Sequence, residues 1–150
     1  MTKGVTYMRK FVLASTMALA AVMSVLAPGT AMAAPDWENN EAVQGTPPSS
    51  EYLICADTIE AKVWVCYEIH GDRWWVYDND ADSASATVEW KNYRGGSLYR
   101  QGRCINGHGA GTWASCNKNY YEDSTVRGKQ GWWDRPNGSP RTYDREYQFQ

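Results

Sequence analysis

Four carboxylates stand at the spacing of a calcium loop. Asp78, Asp80, Asp82 and Glu89 fall at positions 1, 3, 5 and 12 of a D-x-D-x-D-x6-E frame in "DNDADSASATVE". Calcium takes six or more hard oxygens. Alternate carboxylates on a curling loop supply them, and a two-oxygen glutamate closes the shell. Three features pull the other way. Ser83 stands where the sharp turn usually needs glycine, the flanks alternate like strands, and Glu89 sits between Val88 and Trp90 in such an alternation. The competing expectation is a solvated Asp/Asn/Ser turn joining two strands.

The second candidate chemistry is aromatic. Trp74 and Trp75 are adjacent, so in a strand they face opposite ways. If Trp75 packs with Tyr77, Trp74 points out with Val76, and an exposed indole there suits a sugar ring or an apolar partner. Trp132 and Trp133 pose the same choice beside a loop. The competing expectation is that these rings fill a core poor in Leu and Phe.

Catalysis has weaker footing. His108 lies in "NGHGAGTW", and an HGxG stretch can line an oxyanion hole, but the Gly-x-Ser-x-Gly elbow that accompanies it is absent from the sequence. His70 stands beside Glu68 and Asp72 in a turn and could serve as a base. The end "RTYDREYQFQ" is faintly similar to small secreted ribonucleases, which rely on a histidine near the terminus, and none follows His108. No nucleophile, base and orienting group come together in the sequence, so no enzyme is expected. The Pro/Gly/Arg loop "DRPNGSPR" (134–141) is of the kind that secreted inhibitors insert into enzyme clefts, or is an ordinary connection.

These residues need a scaffold, and the chain divides in three. Residues 1–33 carry Arg9 and Lys10, an apolar run and a small-residue "AMAA" site, the pattern of a secretory signal. Met8 opens an equally complete signal. Residues 34–51, polar and with Pro47-Pro48 and Ser49-Ser50, are expected to form a flexible linker. Residues 52–150 form the folded domain. Without Lys3, Arg9 and Lys10 the chain has 12 basic against 17 acidic residues. That balance disfavours nucleic acid and anionic membranes as partners.

The domain has two Leu and four Ile, and its bulk is Trp and Tyr. Such a core is marginal by area alone. Cys55, Cys66, Cys104 and Cys116 form an even set without a CxxC pair, which favours two disulfides over zinc. Of the three pairings, Cys55–Cys66 and Cys104–Cys116 are preferred, because each brackets one expected hairpin. Alternation in "KVWVCYEI" (62–69), "RWWVYD" (73–78) and "ATVEWKNY" (86–93), with turns at His70-Gly71-Asp72 and Gly95-Gly96, predicts an all-β fold, a small antiparallel sandwich or barrel.

The stretches "CYEIHGDRWWVYDNDADSASATVEW", "GRCINGHGAGTWASCNK" and "YYEDSTV" together resemble a group of small exported actinobacterial proteins. The resemblance covers about Cys55 to Val126. It implies export, disulfides and a β fold, and implies nothing about catalysis. Such relatives often carry Asp-Gly where this chain has Asp82-Ser83, which weakens the calcium frame further. The sequence thus predicts a secreted, non-catalytic protein that binds an extracellular polysaccharide or protein partner. The alternatives are an inhibitor of an extracellular hydrolase and a small hydrolase such as a ribonuclease.

Overall fold

Val63, Val65 and Tyr67 alternate with Trp64 and Cys66, and in the computed structural model, which describes Met1 and residues 33–150, that alternation becomes a strand with its inner side fully buried. The expected signal, 1–33, lies outside the described residues apart from its two ends. The strands run β1 (Trp37–Glu41), β2 (Val43–Gln44), β3 (Leu53–Cys55), β4 (Val63–Glu68), β5 (Arg73–Asp78), β6 (Ser85–Arg94), β7 (Ser97–Asn106), β8 (Trp113–Asn117), β9 (Thr125–Trp133) and β10 (Arg141–Gln148). A 3-10 turn, Ile69–Gly71, separates β4 from β5. Among the described residues no helix is long and apolar enough to cross a membrane.

The strands form two five-stranded sheets, ordered β1-β7-β6-β9-β10 and β2-β8-β5-β4-β3. They pack face to face as a sandwich with open edges. All neighbours are antiparallel except β1 and β7. The core between them takes Val63, Val65 and Tyr67 from β4, Trp74 and Val76 from β5, Val88 and Trp90 from β6, Val126 from β9, and Phe149. Five aromatic rings there, Tyr120 included, replace the missing aliphatic bulk. The β6–β7 hairpin turns on Gly95 and Gly96, with φ of 56° and 79°. Two left-handed residues in succession make the tight turn whose twist matches its strands, and glycine adopts them without strain.

Both disulfides pair as expected, Cys55–Cys66 and Cys104–Cys116. The first staples directly opposed residues of β3 and β4. The second does not close a hairpin. Cys104 lies on β7 and Cys116 on β8, so the bond ties one sheet to the other across 5.9 Å between Cα atoms.

The expected linker 34–51 is corrected by the structure. Its residues 37–41 add β1 to the edge of one sheet, and 43–44 add β2 to the edge of the other. Ala42, buried, marks the crossing, with its N–H donated to the Ile105 carbonyl. Hydrophobic patterning could not show this, because ion pairs hold β1 in place. Glu38 accepts from Arg100 Nε at 2.8 Å and Nη2 at 3.0 Å, and from Lys118 Nζ at 3.1 Å. The Lys118 ammonium, almost wholly buried, also reaches Asn40 and sits 4.3 Å over the Trp90 ring. Gly102 lets β1 approach this closely. A side chain there would collide with the Glu38 carbonyl and the Trp90 ring.

Candidate ligand-binding site

In β4 the residues opposite the core side are Trp64, Cys66 and Glu68. Register then fixes what stands beside each. Trp64 faces Tyr77 of β5, and Tyr77 faces Trp113 of β8. Three aromatic side chains therefore cross the outer face of the β5 sheet in one row. Trp64 and Trp113 have centroids 5.5 Å apart, and Tyr77 and Trp113 5.1 Å, all tilted against one another. Each is half-buried. The Trp64 indole N–H is taken by the Ala56 carbonyl at 3.1 Å, so what its ring presents outward is apolar. Polar groups follow where the strands end. Asn79 is exposed, and the Lys62 ammonium lies between Asp80 and Asp82. An apolar row bordered by hydrogen-bonding groups suits a ligand with flat apolar faces and polar edges, as a pyranose ring has.

Trp74 does not belong to this surface. It and Val76 point inward, and Trp75 and Tyr77 point outward. Tyr67 pairs with Trp74 and Val65 with Val76, and those partners line the core. Trp74 is fully buried, its N–H donated to the Tyr120 hydroxyl at 3.0 Å. Trp75 faces out yet is covered, since Gly45 lies against its ring. Trp132 is half-buried at the end of the sandwich against Tyr143. Trp133 lies on the outer face of the other sheet, its N–H donated to the Gly138 carbonyl at 2.9 Å. Sequence reasoning placed Trp64 opposite the core residues of β4 but gave no register for Trp113, so the row itself went unseen.

The structure separates Glu89 from the other three residues of the calcium frame. Asp78 is buried, and burial pushes its carboxyl above the usual range. One of its oxygens accepts the Asp80 N–H at 3.2 Å, and the other has no partner among the described residues. Asp80 and Asp82 both hold the Lys62 ammonium, with Asp80 at 2.8 Å. Those hydrogen bonds keep Lys62 protonated above its ordinary range, and Lys62 in turn lowers Asp82. Glu89 is on the outer face of the other sheet, bonded to Arg103. The chain's own ammonium thus stands where a divalent ion would bridge the loop. Equal melting temperatures are expected in millimolar calcium and in chelator. A rise of several degrees with calcium would show that the ion displaces Lys62.

The histidines have other partners. His108 donates from Nε2 to the Ala42 carbonyl at 2.8 Å. The exposed His70 ring lies 3.9 Å from that of Tyr52. Its sequence neighbours are engaged too: Glu68 accepts from the Trp75 indole and Asp72 from the Tyr67 hydroxyl. The 134–141 loop is braced by Asn137 on the Asp134 carboxylate and by Arg135 on Glu41 at 2.6 Å. It forms one wall of a cleft of about 400 Å³ with Glu41, Ser85, His108 and Trp133.

No protein-family model matches the chain, and no curated protein or solved structure matches it either.

Proposed function

We propose that this is an exported, non-catalytic binding module that holds a polysaccharide against the Trp64–Tyr77–Trp113 row. The row carries the proposal. It is the one place among the described residues where three aromatic side chains share a single outer sheet row. The leader pattern at 1–33, the two disulfides and the absence of free cysteine support export. Pre-set rings bind with little loss of conformational freedom, because the strands and their mutual packing already fix them.

Affinity electrophoresis of the full chain through gels holding hydroxyethylcellulose, xylan or laminarin tests this. Retardation by at least one is expected. Trp64→Ala combined with Trp113→Ala should weaken it roughly tenfold, at about 0.5–1.5 kcal/mol per aromatic contact. Retardation that survives the double substitution contradicts the row as the site.

A second proposal, inhibition of an extracellular hydrolase, is favoured by the bracing of the 134–141 loop. It predicts stoichiometric inhibition of a glycosidase or protease that disappears when Asp134–Pro140 is replaced by a short glycine turn.

A further inference from the structure

We propose that the outer face of the β1-β7-β6-β9-β10 sheet carries a second binding site, for the negatively charged sugar units of an acidic polysaccharide. The charge distribution points there first. The chain is net negative, yet Lys91, Arg103, Arg127 and Lys129 all project from this face, against Glu41, Glu89 and Glu146. All three carboxylates already have partners, Glu41 being held by Arg135. Glu89 bonds Arg103, and Glu146 lies 3.8 Å from Arg127. Among the described residues no carboxylate lies within 4.0 Å of the Lys91 or Lys129 ammonium. Neither ammonium makes an ion pair, although Lys129 stands in register between Glu89 and Glu146, and the two lysines lie one diagonal step apart on adjacent strands, since Lys91 faces Arg127.

Beside them is an indole. Lys91, Lys129, Glu89, Thr142 and Glu146 line a cleft of about 270 Å³ with Trp37 as a wall. Trp37 is 41% exposed, on the strand that sequence patterning assigned to a linker. Its orientation is set from behind. Its N–H donates to Asn39 Oδ1 at 3.0 Å, and the same oxygen accepts from Arg103 at 3.4 Å. The buried Arg103 guanidinium lies 5.2 Å from the Trp37 ring and 5.7 Å from that of Trp133, so one fixed cation braces both rings.

These parts match a pyranose that bears a carboxylate or phosphate. The indole offers a face for the ring. The two ammoniums meet the charged substituent, and Thr142, Glu89 and Glu146 accept from sugar hydroxyls. The cleft opens on a flat outer sheet face, so a polymer can continue past it over Gln101 and Arg127. Nucleic acid fits less well, because the cationic patch is small and interrupted by two glutamates. This site is independent of the aromatic row on the other sheet.

Titration of the full chain with polygalacturonate and, separately, with a phosphorylated mannan tests it, with methyl-esterified polygalacturonate and duplex DNA as comparators. Binding to one or both charged glycans is expected, several-fold or more tighter than to the ester, and weakening as salt is raised. Lys91→Gln with Lys129→Gln should reduce affinity roughly tenfold with little change in melting temperature, because neither ammonium makes an ion pair. Trp37→Phe should weaken binding less, and Trp64→Ala should leave it unchanged. The two charged glycans distinguish carboxylate from phosphate recognition. Binding to neither, DNA binding as tight as glycan binding, affinity untouched by the double lysine variant, or affinity lost in Trp64→Ala would each overturn the proposal. The last would place the charged glycan on the other sheet.

Discussion

Trp74→Ala should lower folding stability by about 3–5 kcal/mol, the cost of removing a large aromatic side chain from a core that cannot collapse around the gap. Trp74 is fully buried between the sheets. Its ring meets Phe149 edge-on at 5.0 Å and Tyr67 at 4.9 Å. Gly128, across the core, leaves room for it, since a Cβ there would come within 2.9 Å of the ring. The substitution also strips the Tyr120 hydroxyl of its donor. Burial already holds that hydroxyl protonated well above its ordinary range, so solvent offers little replacement. With Leu and Phe so scarce, no neighbour is available to fill the cavity. Trp74→Phe should cost markedly less, because most of the volume stays and only the hydrogen bond is lost. Urea unfolding followed by fluorescence gives both values. Molecules of either variant that remain folded should bind the same neutral polysaccharide as the parent, which separates this ring from Trp64.

Glu38→Ala should cost about 3 kcal/mol, the low end for breaking a buried ion pair, because Glu38 itself is partly exposed. The effect comes from what it leaves behind. The Lys118 ammonium is buried, and burial already lowers its affinity for the proton. Without Glu38 it retains only Asn40 and the Trp90 face. Arg100 loses both of its carboxylate bonds. The strand β1 should then detach, exposing Gly102 and the ring edge of Trp90.

The same residue sets an acid limit. The Arg100 guanidinium, helped by Lys118, holds the Glu38 carboxyl below the usual range. A depressed carboxyl stabilises the fold fully above its unfolded pKa, about 4.3. That contribution is lost as pH falls from there through the folded value. Parent stability should decline over this window more steeply than that of Glu38→Gln, measured by urea midpoints between about pH 6 and pH 2.5.

The parts of this fold visible from the sequence are those held by apolar alternation and glycine turns. The alternation of β4, the Gly95-Gly96 hairpin and the Cys55–Cys66 staple follow from patterning and loop length, whereas Cys104–Cys116 pairs as expected but joins the two sheets instead of closing a hairpin. What stayed hidden depends on partners distant in sequence. Strand β1 has no apolar stripe, because Glu38 docks on Arg100 and Lys118. The inward face of β5 was undecidable locally, since Trp74/Val76 and Trp75/Tyr77 are equally apolar. Only the pairing with Tyr67 and Val65 chooses between them. The Asp loop has the composition of a cation site, and its cation, Lys62, comes from the residue just before β4 rather than from solution. The aromatic row needed the β5–β8 register, which neither composition nor spacing reveals: the ladder sets Trp113 beside Tyr77 although it lies 36 residues further along the chain.

The most direct test of glycan recognition by the outer aromatic row is nuclear magnetic resonance of the indole N–H groups during titration with cellohexaose and xylohexaose. The resonances of Trp64 and Trp113 should shift together and saturate with one of the two sugars, while those of the covered Trp74 and Trp75 stay fixed. Unmoved Trp64 and Trp113 signals under conditions where the same sugar demonstrably binds would contradict it.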